Sequence, residues 1–221
     1  MIKIVVFAPH SDDETLGAGG YILKHKDLGE EVYWINVTNA KEEYGYTNEE
    51  VNGWNNAIEK VNKMFGFTRL YDLGLEPSGL DKMDKRQLIA LFRHCIDEIK
   101  PNIVLIPFGE DTHSDHRIVF DCVMSCCKSF RCPTVEKILC MEIISESDYA
   151  VSDKGFVPNF YVDISNYIDK KIEIAKIYNS EILESPFPRN SESIKGLAKF
   201  RGASCYAHYA EGFRIMKEVE R

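Results

Sequence analysis

The order in which segment types recur constrains this chain more than any other feature. "IKIVVFA" (2–8) is a short β-branched run ended by Pro9, and it reads as a strand buried on both faces. Helical spacing follows over 14–26, with Leu16, Ile22 and Leu23 apolar. A second strand is expected at about 32–38. A helix then starts near Asn48, with Thr47 or Asn48 as N-cap and Gly66 near its end. "RLYDL" reads as a strand, and "DKRQLIALFRHCIDEIK" as an amphipathic helix stopped by Pro101. "NIVLIP" gives a further buried strand and "DHRIVFDCVMSCCKSF" a further helix. Strand and helix thus alternate to about residue 130, the pattern of an α/β domain with a mainly parallel sheet. The alternation loosens after the apolar run at about 137–144. "NFYVDI" reads as a strand, "SNYIDKKIEIAKIYNSE" as a helix with Ser165 as N-cap, and "SESIKGLAKFRGASCYA" as helical in part. No repeat or linker interrupts the 221 residues, which read as one domain, 1–221.

Composition excludes several classes. The net charge is −8 and the pI about 5.3, which argues against nucleic acid or an anionic membrane as partner. No apolar run is long enough to insert in a membrane or serve as a secretory signal. Five of the seven cysteines (Cys122, Cys126, Cys127, Cys132, Cys140) crowd into one stretch without paired C-x-x-C spacing. They read as buried thiols, with a zinc site as the alternative, and an unpaired set fits a cytoplasmic protein.

Chemistry concentrates at two strand ends. "FAPHSDDETLGAGG" (7–20) places His10, Asp12, Asp13 and Glu14 directly after the first strand. "IPFGEDTHSDHR" (106–117) places His113, Asp115 and His116 after a later one. In open α/β sheets, ligands bind beyond the carboxyl ends of the strands. Imidazole and carboxylate donors there suit zinc, and a hydrolytic site needs about three ligands, a base and an oxyanion donor. Either loop alone also fits a helix start, where acids cap and favour the dipole. Two such loops at equivalent places favour the metal reading. Gly17, Gly19 and Gly20 lack the G-x-G-x-x-G spacing of a dinucleotide loop.

"PHSDDETLGAGG" and "THSDHR" resemble the two motifs of the PIG-L (LmbE-like) zinc-dependent de-N-acetylases, A-H-P-D-D-E and H-P-D-H. "YAHYAEGFR" (206–214) resembles that family's C-terminal Y-A-E-x-F segment. The resemblance implies a Rossmann-like fold and hydrolysis of an N-acetylated amino sugar or glycoconjugate. It implies Zn2+ held by His10, Asp13 and His116, with Asp12 as general base. It implies His113 as oxyanion stabiliser, as an imidazolium, or as the acid for the leaving amine, and Asp115 as support for the histidines. Glu14 is expected to be structural. Ser11 and Ser114 replace the prolines of the two motifs, and "TNAKEEYGY" stands where the family often has Asp-Gly. Trp54 or Asn55 stands where many members have a substrate-binding Arg. Substrate contacts are expected from Glu211, Tyr209 and Trp54, with Tyr44, Tyr46, Tyr206 and His208 as further candidates. Arg201 and Arg214 are candidates for a substrate phosphate; His25 and His94 read as structural. A non-sugar amide or ester hydrolase, or a sugar-binding protein, are the alternatives. A homo-oligomer is compatible with the resemblance.

Overall fold

A computed structural model of the protein describes residues 1–150, 153 and 155–220. Seven strands form one sheet in the order β3-β2-β1-β4-β5-β7-β6. They are β1 (Lys3–Ala8), β2 (Glu31–Thr38), β3 (Arg69–Leu75), β4 (Ile103–Ile106), β5 (Lys137–Met141), β6 (Phe160–Asp163) and β7 (Ala210–Glu218). β1 to β5 pair in parallel, and β7 runs antiparallel between β5 and β6. The helices are α1 (Asp13–Asp27), α2 (Asn48–Phe65), α3 (Lys85–Ile99), α4 (Ser114–Cys126), α5 (Ile168–Ala175) and α6 (Ser191–Cys205).

Alternation along the strands divides the core in two. Ile4, Val6 and Ala8 of β1 face the cluster shared with α1, α2, α5 and α6. Val5 and Phe7 face the other, shared with α3 and α4. Both faces are covered at the centre of the sheet, so β1 from Ile4 onward and all of β4 are apolar, as buried parallel strands require. Cys122, Cys126, Cys127, Cys132 and Cys140 all lie in the second cluster as free buried thiols. Among the described residues, no cysteine joins a potential metal-binding group.

Local signals set the boundaries. α2 starts on a Thr47–Glu50 capping box and ends on Gly66 in the left-handed conformation, φ 65°. Two expectations change. Ser165 does not cap α5: its N–H and hydroxyl both bond the Asp163 carboxylate, and the helix begins at Ile168. The segment 210–218 is a full strand, which the motif-based reading of 206–214 passed over.

α1 is broken at Ala18 (φ −146°, ψ 15°). A Cβ at Gly20 would lie 2.5 Å from Ile164 Cγ2, and one at Gly17 2.8 Å from Met141 Cβ. The glycines therefore let α1 lie close on the sheet rather than cradle a phosphate.

Candidate metal centre

β1 and β4 are neighbours, and the chain leaves them toward opposite sides of the sheet order. That is the crevice where α/β proteins bind ligands. Asp12 occupies the N-cap position of α1 with φ 152°, a conformation L-residues rarely adopt. Its N–H donates to Glu14 Oε2 at 3.1 Å, which pins the turn. Glu14 also accepts from Thr15 Oγ1 and from the Tyr178 hydroxyl, and burial pushes it up to about 7.

The turn brings His10, Asp13 and His116 together, with one ligand atom from each within 4.8 Å of the others. Asp13 Oδ2 lies 3.4 Å from His10 Nδ1 and 3.2 Å from His116 Nε2. Asp13 Oδ1 and His116 Nε2 are buried and make no hydrogen bond. A buried carboxylate oxygen without a hydrogen bond, beside a ring nitrogen that meets only an ion-pair contact, is costly unless something binds there. Burial opposes charge on both histidines. Hydrogen bonds to Asp115 and Asp13 outweigh it at His10, raising it to about 9. The charges of Asp13 and Asp111 outweigh it at His116, raising it to about 10. Burial likewise opposes charge on Asp13, and the two imidazoliums hold its carboxyl well below the usual range. Protons on these imidazoles balance the cluster's negative charge, a role a divalent cation would take. The donor set of two imidazoles and one carboxylate fits such an ion, zinc included.

Support differs from expectation. Asp111, not Asp115, orients His116, accepting from Nδ1 at 2.9 Å while Ser147 Oγ donates to its other oxygen. Asp115 bonds His10 Nε2 at 3.1 Å and is itself fixed by the Ser78 and Leu80 N–H groups. His113 is also not an imidazolium here. Its Nδ1 accepts the Asp115 N–H as the N-cap of α4, so the proton of the neutral ring sits on Nε2. Burial and the charges on His10 and His116 push it down to about 4.

His10, Asp12 and His113 line a cleft of about 430 Å³ together with Asn39, Tyr46, Trp54 and Glu181. Arg189, in the irregular connection between α5 and α6, also lines it. Its Nη1 donates to Asp12 Oδ2 at 2.8 Å, and its other nitrogens reach Glu146 and Ser145. Burial and the neighbouring Asp13 push Asp12 up well above the usual carboxylate range, and Arg189 works against that rise.

Trp54 is thus in the cleft, but Glu211 and Tyr209 are not. Glu211 is 5% exposed and accepts from the Gly20 and Tyr21 N–H groups and from Lys171 Nζ, all within 2.8 Å. Lys171 also donates to Leu16 O, so the pair caps both ends of the break in α1. The space beside Glu211 is about 20 Å³, room for a water but not a sugar. Tyr209 does not line the cleft; its N–H bonds Ser165 Oγ and its ring lies beneath Lys195. Tyr44 bonds Gly74 O, Arg201 is paired with Glu142, and Arg214 lies over Phe108. Tyr206 and His208 are exposed. His25 pairs with Glu30. Sequence reasoning missed Asp111, although it stands inside the second motif. It also missed Arg189, whose 177-residue separation from Asp12 gives no local signal.

Comparison with known proteins bears on the chemistry. Diacetylchitobiose deacetylase of Thermococcus kodakarensis is 24% identical, over 98% of this chain and 84% of that protein. The probable N-acetyl-alpha-D-glucosaminyl L-malate deacetylase 2 of Bacillus subtilis is 22% identical, over 80% and 82%. The solved N,N'-diacetylchitobiose deacetylase of Pyrococcus horikoshii superposes with a TM-score of 0.77 at 21% identity, covering 97% of this chain and 84% of that one. The PIG-L family model, described as GlcNAc-PI de-N-acetylase, matches residues 5–127, from β1 to the end of α4. That span holds every residue of the potential metal-binding group, and the chain belongs to the PIG-L family of de-N-acetylases.

Proposed function

We propose that the protein hydrolyses the acetamide of an N-acetylated amino sugar, with a divalent metal ion, zinc by its donor set, held by His10, Asp13 and His116. The observation that carries this reading is the convergence of His10, Asp13 and His116, with Asp13 Oδ1 left buried and without a hydrogen bond and His116 Nε2 facing only Asp13 Oδ2 at 3.2 Å, beside the cleft that His10 lines. When bound, such an ion polarises the acetyl carbonyl and lowers the pKa of water to about 7. Arg189 occupies Asp12 Oδ2, which leaves Oδ1 to take the water proton. The oxygen of water bonds to the acetyl carbon. The developing oxyanion accepts from His113 Nε2–H, a neutral donor whose tautomer is set by the Asp115 N–H. As the C–N bond breaks, the proton on Asp12 passes to the amine, giving acetate and a free amino sugar. The family and the two deacetylase relatives support the sugar amide over another amide or ester.

No helix among the described residues is long and apolar enough to cross a membrane. Seven free cysteines support a reducing compartment such as the cytoplasm.

The test is metal content by plasma mass spectrometry together with acetate release from N-acetylated sugars. Roughly one ion per chain is expected. The ion and the acetate release should both disappear in His10→Ala. A metal-free wild type that stays empty after zinc is supplied overturns the proposal.

A further inference from the structure

Ser78 belongs to neither motif, yet it stands at the mouth of the site. It lies in the loop 76–79 between β3 and α3 and lines the cleft with His10, Asp12 and His113. Its φ is 57°, in the left-handed region where a side chain is strained and glycine is not. A non-glycine residue held in that conformation beside a site points to a use for its side chain.

The backbone around it is pinned. The Ser78 N–H donates to Asp115 Oδ2 at 2.7 Å, and the Leu80 N–H to Asp115 Oδ1 at 3.2 Å. The Leu80 side chain is buried in the core that faces α3 and α4. Any residue at position 78 except proline has that N–H, and glycine would offer it without strain. What glycine would lack is the hydroxyl.

Ser78 Oγ lies 3.3 Å from His113 Nε2. His113 Nδ1 accepts the Asp115 N–H, so Nε2 carries the ring proton and the serine oxygen accepts from it. This direction excludes a serine nucleophile, because the ring has no free nitrogen to take the hydroxyl proton. It also leaves that proton available. Among the described residues, Ser78 Oγ makes no other hydrogen bond. A hydroxyl that accepts one hydrogen bond is a stronger donor of the next. Two donors thus stand side by side on the cleft wall, the His113 Nε2–H and the Ser78 O–H. Asp115 fixes both from behind, one through its N–H and the other through its carboxylate.

Resting on the deacetylase reading, we propose that Ser78 is a further catalytic residue. Its hydroxyl, together with His113 Nε2–H, donates to the acetyl oxygen as negative charge develops there. In the free protein the imidazole N–H rests on Ser78 Oγ; in the transition state both donors serve the oxyanion. Ser78 forms no bond to carbon and keeps its proton throughout, so water remains the nucleophile.

The experiment takes the wild type, Ser78→Gly and Ser78→Ala. The probes are N-acetylglucosamine, N,N'-diacetylchitobiose and N-acetylglucosaminyl L-malate, and kcat and KM are measured on the one the wild type turns over fastest. Bound metal and Tm are measured on the same samples, and Tm again after the metal is removed. Both variants keep the N–H that Asp115 accepts. Glycine relieves the backbone strain and alanine retains it, so the pair separates the hydroxyl from the conformation of the loop. Both should lower kcat and kcat/KM together by about 10²-fold, as loss of a contact made only in the transition state does. Metal content should match the wild type, and Tm of Ser78→Gly should hold or rise with and without metal. An unchanged kcat in both variants overturns the role of Ser78 alone, as does a rise in KM by itself. A loss confined to Ser78→Gly, or one that follows loss of the metal, overturns it too, since the cause is then the loop or the metal centre. A wild type silent on all three probes with metal bound overturns the deacetylase reading and the role of Ser78 with it.

Discussion

Two buried clusters of charge sit along α1, one at its first turn and one at its break. Around Lys171 and Glu211 the polar atoms find partners. Both Glu211 oxygens accept backbone N–H groups, and Lys171 reaches Glu211 and Leu16 O. Around Asp13 and His116, Asp13 Oδ1 has no partner and His116 Nε2 has only the 3.2 Å contact with Asp13 Oδ2. The first cluster is closed and holds a helix; the second keeps capacity that a bound ion would fill. Unfilled hydrogen-bonding capacity, rather than burial or charge, separates the site from the strut. The sequence motif "YAEGF" could not reveal this, because an acid beside aromatics fits either role.

The largest effect expected from this contrast is chemical. Asp12→Asn should lower kcat by about 10²–10⁴ while metal content and Tm stay near wild type. Unchanged turnover would remove Asp12 from the role of base. Glu211→Ala should do the reverse. It leaves the Lys171 charge buried and alone, at a cost of about 3–5 kcal/mol in urea unfolding, while the folded fraction keeps its specific activity. If instead KM rose with stability intact, the closed cluster would be part of the site after all. A smaller change is expected from Asp111→Asn, which loosens the His116 ring and should weaken metal affinity about 10–100-fold without unfolding the protein.

The mildest test is pH. His10 and His116 are raised in the metal-free fold to about 9 and about 10. Their ion pairs therefore stabilise the metal-free protein fully below pH about 6.5 and are lost as pH rises through 9 to 10. The same protons must leave for a metal to bind. Calorimetry at pH 7 in buffers of differing ionisation heat should show proton release and affinity rising with pH. Affinity independent of pH would mean that these imidazoles are not the ligands.

Much of this was legible in the chain. β1 and β4 are apolar on both faces because both faces are covered, and the two motifs follow them directly. The closing strand β7 was less legible. Glu211 and Gly212 interrupt its apolar pattern, and both are there for other reasons. Glu211 caps α1, and a Cβ at Gly212 would press on Pro158 at 3.1 Å. Arg189 and Ser78 were invisible for a different cause. Their meaning lies in contacts with residues far along the chain, and no local spacing encodes those contacts.

The connection from α5 to α6 supplies Glu181 and Arg189 to the cleft and belongs to no strand of the sheet. It also lies beyond the 5–127 span that the family model matches. A segment without a ladder to keep in register can change length and composition freely. The connection reaches the chemistry only through Arg189 on Asp12, and the residues proposed to hold the metal lie outside it. Grafting this connection between relatives, with Arg189 kept, is a direct route to changing what the enzyme accepts, while the proposed ligands His10, Asp13 and His116 stay untouched.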